Sequence, residues 1–294
     1  MAVPYSQTIA HYLDNHTYIK HSGAWQTADK ISVNVSGTWQ NAKEVWVKES
    51  GSWRLVHQGE HFLFNYNDTS NNTGELNLST ILSNAGYSSG PIKGAINIQC
   101  ARKRVNLGNY SGKVYLRVDS GRKISGSGGN GGNRGGQNGA VGMDAVYSGG
   151  TPFLLDNAGM IAGGGGGGGG GINNQCSYTN TYYYGCMKGN ECSGTDQQFS
   201  QALGGGGGGG AGYPGGQGKD GGQNGQETGG GGGGGNDGCD SESGGGGGNL
   251  GQNGQGATGG GSGGDRGKAI VGINHRVANV GSGSGDLRGG TSNS

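Results

Sequence analysis

Proline is nearly absent, at four residues in 294, which excludes a collagen-like triple helix and a proline-stiffened linker. Apolar residues make up 29%, too few for one conventional core in a chain this long. Charge is scarce at 13% and almost balanced at +1, with no basic tract beyond Arg102, Lys103 and Arg104. Nucleic acid is therefore not an expected partner, and the basic trio reads as a solvated strand edge or loop. No stretch approaches the length that spans a bilayer, and Met1 to Ala10 lacks the charged and apolar regions of a secretory signal, so synthesis in a cytosol is expected. The five cysteines, Cys100, Cys176, Cys186, Cys192 and Cys239, contain no C-x-x-C pair, a poor pattern for zinc. Cys100 reads as a small strand residue, whereas Cys176, Cys186 and Cys192 share one insert that a disulfide would clip, the pair being left open. Of six histidines, five precede residue 62, and no paired carboxylate, metal cluster or nucleophile beside a base stands out. Neither catalysis nor a cofactor is expected. Gly126-Ser127-Gly128-Gly129-Asn130-Gly131 satisfies G-x-G-x-x-G, but chance supplies that match in glycine-rich sequence and no helix follows it to hold a phosphate.

What the chain has instead is glycine, and 66 of its 77 glycines lie in residues 126–294, with unbroken runs at Gly163 to Gly171, Gly204 to Gly210 and Gly229 to Gly235. Glycine loses the most conformational freedom on folding and brings no side chain to bury, so such a run is either disordered or held by its backbone alone. Two observations favour order. Flexible linkers mix glycine with serine, whereas these runs are punctuated by apolar pieces such as Phe153-Leu154-Leu155 and Ala269-Ile270-Val271. The other residues also keep step every third position: Asn130 and Asn133; Arg134, Gln137 and Ala140; Gln217, Asp220, Gln223 and Gln226; Ser262, Asp265 and Lys268. Three residues per turn is the repeat of the extended left-handed helix, which has no internal hydrogen bonds and must bond sideways. The expected architecture is a bundle of polyglycine rods, roughly 28 Å long for nine glycines, in which a surrounded rod carries only hydrogen. Outer rods show every third side chain to water.

The front of the chain is different. Ser22-Gly23-Ala24-Trp25, Ser36-Gly37-Thr38-Trp39 and Ser50-Gly51-Ser52-Trp53 form a period of 14, each following a strand-like piece. Ser-Gly supplies a hairpin turn, so three β-hairpins are expected. Trp25, Trp39 and Trp53, with Trp46, have two readings: the core of a small β-domain, or faces presented to a threefold partner. From about 60 to 125, Leu78, Ile81, Leu82 and Ala85 have helical spacing ending at Gly86, while Ile96, Ile98 and Cys100, and Val114, Leu116 and Val118, alternate as strands. The fold class expected is irregular and mostly β: hairpin repeats over 1–60, a small mixed α+β domain over 61–125, and the rod bundle over 126–294.

Rods that run up and down put loops alternately at two ends. Starting outward at Gly126, far-end loops are expected at about 137–150, 172–203, 223–228 and 252–258, with near-end turns at about 151–162, 211–214, 236–243 and 268–280. The longest insert holds Tyr178, Tyr182, Tyr183, Tyr184, Met187 and Phe199. Clustered tyrosines at a loop tip give large, rigid, amphipathic contact area, as in an antibody paratope; the alternative is that the rings cap the rods. Tyr147 and Glu227, in the neighbouring far-end loops, complete the candidate contact set.

Asn157-Ala158-Gly159-Met160-Ile161-Ala162 running into nine glycines, Gly248-Asn249-Leu250-Gly251-Gln252, and Gly267-Lys268-Ala269-Ile270 resemble the receptor-recognising adhesins at the long tail fibre tip of T2-like bacteriophages. The resemblance covers about 124–290 and implies a stack of polyglycine II helices with variable tip loops that bind outer-membrane proteins of Gram-negative hosts. It implies a place at the virion's fibre tip, with docking on a trimeric fibre subunit carried over as a role. The first 60 residues depart from that pattern and look like tryptophan repeats of other phage tail proteins. A rival from another class is an ice-binding polyglycine bundle, which needs a flat, regular face of small residues in place of irregular aromatic inserts.

Overall fold

The computed structural model describes residues 17–21, 24–28, 32–42, 44–58, 61–185, 191–236, 242–279 and 285–293. The front of the chain forms three antiparallel hairpins: β1 (Thr17–His21) with β2 (Ala24–Ala28), β3 (Ser32–Val35) with β4 (Thr38–Asn41), and β5 (Glu44–Glu49) with β6 (Ser52–Gln58). In the second and third, the Ser-Gly turn has positive φ at both residues, 51° and 85° at Ser36 and Gly37 and 49° and 88° at Ser50 and Gly51. That is the turn whose twist matches its strands. Trp39 and Trp53 are exposed, at 71% and 64%, so they form no core in this chain.

Residues 61–125 supply half of a two-sheet body. One sheet has the order β19-β14-β11-β9-β7, built from β7 (Phe62–Asp68), β9 (Ile92–Ile98), β11 (Gly112–Val118), β14 (Phe153–Asn157) and β19 (Arg276–Asn279). The other joins β8 (Asn72–Asn77), β10 (Ala101–Asn106), β12 (Lys123–Ser125), β13 (Val146–Tyr147), β15 (Met160–Ala162), β18 (Ile270–Val271), β20 (Asp286–Arg288) and β21 (Thr291–Ser292). Their ladders are parallel. From β7 to β12 the chain visits the two sheets alternately, and Ile96, Ile98, Leu116, Val118 and Phe153 of one meet Val105, Ile124, Val146, Ile161 and Ile270 of the other in a continuous apolar core. Helix α1 (Leu78–Asn84) buries Leu78, Ile81 and Leu82 against it and is followed by Gly86 at φ 84°. Strands from beyond residue 126 complete both sheets, so the boundary expected at 125 does not separate two bodies in space.

The basic trio is corrected here. Arg102 is 4% exposed and donates through Nε and Nη2 to the Asp68 carboxylate, itself 1% exposed. Arg104 is half-buried, its guanidinium 5.6 Å from the Tyr147 ring centroid. Cys100 lies at the bend between β9 and β10, where burial and then a hydrogen bond with the Asp68 carboxylate push its thiol up to about 11.

Ten extended segments carry the glycines: 126–133, 137–145, 163–171, 204–212, 214–219, 222–226, 229–236, 242–249, 252–257 and 261–268. Segment 163–171 shows the rule. Its N–H groups turn through three neighbours in order: Gly164, Gly167 and Gly170 donate to Met143, Ala140 and Gln137; Gly165, Gly168 and Gly171 to Ala211, Gly208 and Gly205; Gly166 and Gly169 to Gln252 and Gln255. Its carbonyls turn through three others, accepting from Gly129, Gly132 and Gly135, from Gly267, Gly264 and Gly261, and from Gly251, Gly248 and Gly245. Every backbone polar group of the run is thus paired laterally and every residue is buried. A Cβ added at any of Gly163 to Gly171 would fall 1.8 to 2.0 Å from a neighbour's carbonyl oxygen. No residue but glycine fits.

Outer segments solve the missing neighbour with side chains. Asn130 Oδ1 accepts the N–H of Gln217, Asn138 that of Ser262, Asn224 that of Gly218, Asn249 that of Gly230 and Asn253 that of Arg266, at 2.9 to 3.1 Å. An asparagine amide thereby fills a bonding position that a further rod would occupy.

Candidate functional site

The bonding pattern sorts the turns into two ends. At the end away from the sheets are the turn at 134–136, the insert after Gly171, the turn at Asp220-Gly221 and the turn at 257–260. At the sheet end are 212–214, 227–229 and 249–251. Three expected far-end loops are therefore different: 252–257 is an outgoing rod with its turn at 257–260, and two others run back toward the sheets. Residues 137–145 and 222–226 are returning rods with glycine at only every third position, and the reversals are made by Gly135 and Gly136 at φ 87° and 81° and by Asp220 and Gly221 at 43° and 91°. Residues 236 and 242, expected near the sheets, end their rods at the far end; 237–241 lie outside the described residues.

This moves two candidate contact residues. Tyr147 sits in β13, hydrogen-bonded between β10 and β18 and covered by Arg104. The Glu227 carboxylate pairs with the Lys123 ammonium, which also lies 5.6 Å from the Tyr213 ring centroid. Both are at the sheet end, away from the insert after Gly171.

The far end is dominated by one hairpin, β16 (Asn174–Gly185) with β17 (Glu191–Ala202). Its twelve-residue strands would reach about 40 Å. Its root is fixed: Ala202 is buried, and Asn173 Oδ1 accepts the Gly204 N–H at 2.9 Å. Ile172, which sequence reasoning did not single out, lies beside two far-end turns: a Cβ added at Gly136 would stand 3.4 Å from its side chain, and one added at Gly259 3.8 Å. Tyr178, Tyr182, Tyr183 and Tyr184 lie along β16, and Phe199 lies on β17 opposite residue 177. Phe199 is 61% exposed. Met187 lies outside the described residues. The ladder sets Cys176 opposite Ser200 and Cys192 opposite Tyr184, about 27 Å apart along the strands, far beyond the reach of a disulfide. Cys186 and Cys239 lie outside the described residues.

At the front of the chain, Trp25 lies on β2 and Trp46 on β5, while exposed Trp39 and Trp53 stand on β4 and β6. Lys48 is the cross-strand partner of Trp53 and holds its ammonium 5.9 Å from the ring centroid. Between the ends, a groove of about 560 Å³ is lined by Val141, Asp144, Asp265, Arg266 and Lys268 among others. Its carboxylates are already engaged: Asp144 accepts the Lys268 N–H and Asp265 the Asn253 amide. Among the described residues, no group of three His, Cys, Asp or Glu is placed to hold a metal ion, and no helix is long and apolar enough to cross a membrane.

Residues 63–292 match the family model of the phage tail fibre adhesin Gp38. The chain belongs to that family. Among solved structures it is similar to the crystal structure of the gp37-gp38 adhesin tip complex of the bacteriophage S16 long tail fiber, with 20% identity over 79% of this chain and 83% of that one and a TM-score of 0.44. No curated protein matches. Membership makes the protein an adhesin of a phage tail and a structural, binding component of the particle. The family match begins after the hairpins, so the tryptophans lie outside it.

Proposed function

We propose that this adhesin recognises a host outer-membrane protein through the β16/β17 hairpin, held at the far end of a polyglycine II bundle, and that the tryptophan hairpins dock it on a trimeric fibre subunit. The observation that carries the reading is the placement of the β16/β17 hairpin at the end of the bundle away from the sheets. The Tyr- and Phe-bearing hairpin leaves the bundle where its root is tied to buried rods, and the tryptophans precede the sheet body at the other end of the chain's path. The three-residue cycling of amide bonds around 163–171 supports the polyglycine II assignment. A rod with six neighbours is stiff, so little ordering cost is left for the moment of binding. Tyr178, Tyr182, Tyr183, Tyr184 and Phe199 are the proposed contacts. Tyr147 and Glu227 are not among them.

The test is exchange of residues 174–202 for the corresponding hairpin of a relative with a different host. Adsorption to a panel of single-porin deletion strains should follow the donor hairpin while the melting temperature stays within a few degrees. Adsorption that follows the recipient body would refute the assignment.

A further inference from the structure

The sequence contains Asn-Gly at 130–131, 138–139, 224–225 and 253–254, and nowhere else. In a disordered chain this dipeptide is the one most prone to deamidate. The glycine nitrogen attacks Cγ of the asparagine, a bond forms between them, the Cγ–Nδ2 bond breaks, the amide proton passes to solvent base and ammonia leaves. Water then opens the cyclic imide at Cγ, giving aspartate, or at the main-chain carbonyl, giving isoaspartate. A glycine-rich chain offers no side chain to hinder that attack, yet each of the four dipeptides is held in the same way. The asparagine Oδ1 accepts an N–H of the neighbouring rod, from Gln217, Ser262, Gly218 and Arg266 respectively. The attacking nitrogen is also occupied: Gly131, Gly139, Gly225 and Gly254 donate to the carbonyls of Gln217, Ser262, Gly216 and Gly264 at 2.8 to 2.9 Å. At the first two sites one residue of the neighbouring rod takes both groups, its N–H binding the side chain and its carbonyl binding the glycine.

We propose that the rod lattice shields all four Asn-Gly dipeptides from imide formation, and that they become modification sites only when an outer rod detaches. The nucleophilic glycine N–H and the asparagine side-chain amide are each held by a hydrogen bond to a neighbouring rod. Isoaspartate adds a methylene to the main chain, so conversion shifts the three-residue register and a detached rod does not re-enter its slot. This inference rests on the bonding geometry and is independent of the receptor assignment.

The full-length protein is incubated at 37 °C and pH 8.5, native in one arm and in denaturing guanidinium in the other. Synthetic peptides spanning each dipeptide, isotopically labelled, are included in every tube. Peptide mapping with isoaspartate quantification reads each site against its own peptide. The expected result is conversion at least about tenfold slower than the peptide at all four sites in the native arm, a barrier increase of about 1.4 kcal/mol, and conversion at the peptide's rate in the denatured arm. Intermediate guanidinium should raise the four rates along the unfolding curve measured by circular dichroism. Any site that converts in the native protein as fast as its peptide, without unfolding, overturns the proposal for that rod edge; equal rates at all four overturn it entirely.

Discussion

At Gly167 an alanine methyl would stand 1.9 Å from the carbonyl oxygen of Asn130, and neither backbone can retreat because each is bonded to further rods. Gly167→Ala is expected to cost at least about 3 kcal/mol, the upper end of overpacking costs. Gly235→Ala is the matched control: an added Cβ meets nothing within 4 Å there, and fewer unfolded conformations should make the change neutral or stabilising by about 0.4 to 1 kcal/mol. Thermal melts of the two variants measure the contrast, and equal melting temperatures would contradict the buried-rod geometry. Asn138→Ala removes the acceptor of the Ser262 N–H at an exposed edge and should cost about 1 kcal/mol. Cys100 gives a pH dependence. Its thiol titrates at about 11 in the fold against an ordinary 9.0, so the folded state binds more protons in that interval and stability should fall as pH rises from 9 to 11. Comparing denaturant midpoints of wild type and Cys100→Ala across that range isolates the contribution, because the tyrosines are common to both. A parallel loss in both proteins would remove Cys100 as a source.

The bundle should not need the hairpin proposed to recognise the host. The chain ends it leaves are already adjacent, through the Gly171 N–H to Gly205 carbonyl bond and the Asn173 to Gly204 bond. Replacing 174–202 by a short Gly-Ser turn should therefore leave the protein soluble, with a melting temperature within a few degrees of wild type, and abolish adsorption. A melt that collapses would show the rings to be a cap, as the alternative reading of the insert holds. The long runs were legible as elements because glycine that is neither helical nor flexible has few other uses, and the hairpin turns because Ser-Gly accepts two positive φ values. The helix at 78–84 was legible from spacing and from Gly86. The outer rods are harder to read: 137–145 and 222–226 carry glycine at only every third place, with Gln, Asn, Ala, Val, Met and Asp between, and look like loops when only unbroken glycine counts as rod. That single miscount inverted the end at which Tyr147 and Glu227 lie. The parallel pairing of 146–162 and 270–292 with 61–125 rests on contacts between distant segments, which local alternation does not encode. Arg102 looked solvated because its buried partner, Asp68, is 34 residues away.

At the scale of the molecule, the proposed division of roles gives attachment to the front hairpins and recognition to β16/β17. The sheet body draws on residues from 61 to 293 and forms its apolar core from strands β7 onward, while the hairpins before it pair only within themselves in the described ladders. Removing residues 1–58 should therefore leave the remainder folded, with a melting temperature close to that of the full chain, because no core residue of the two sheets is lost. Host-cell binding by the purified fragment should persist, since the β16/β17 hairpin and its root are untouched. Capture by the fibre should fail, because exposed Trp39 and Trp53 go with the deleted segment. The three readouts are a melt, binding of fluorescently labelled fragment to host cells, and co-purification with the distal fibre subunit. Retained co-purification would move the docking surface onto the sheet body, and lost cell binding in a folded fragment would move part of the receptor contact onto the hairpins. The substitutions Trp39→Ala and Trp53→Ala in the full chain discriminate further. Each removes a ring that is already in solvent, so neither should shift the melt by more than about 0.5 kcal/mol, and each should weaken capture if the rings are buried against the fibre.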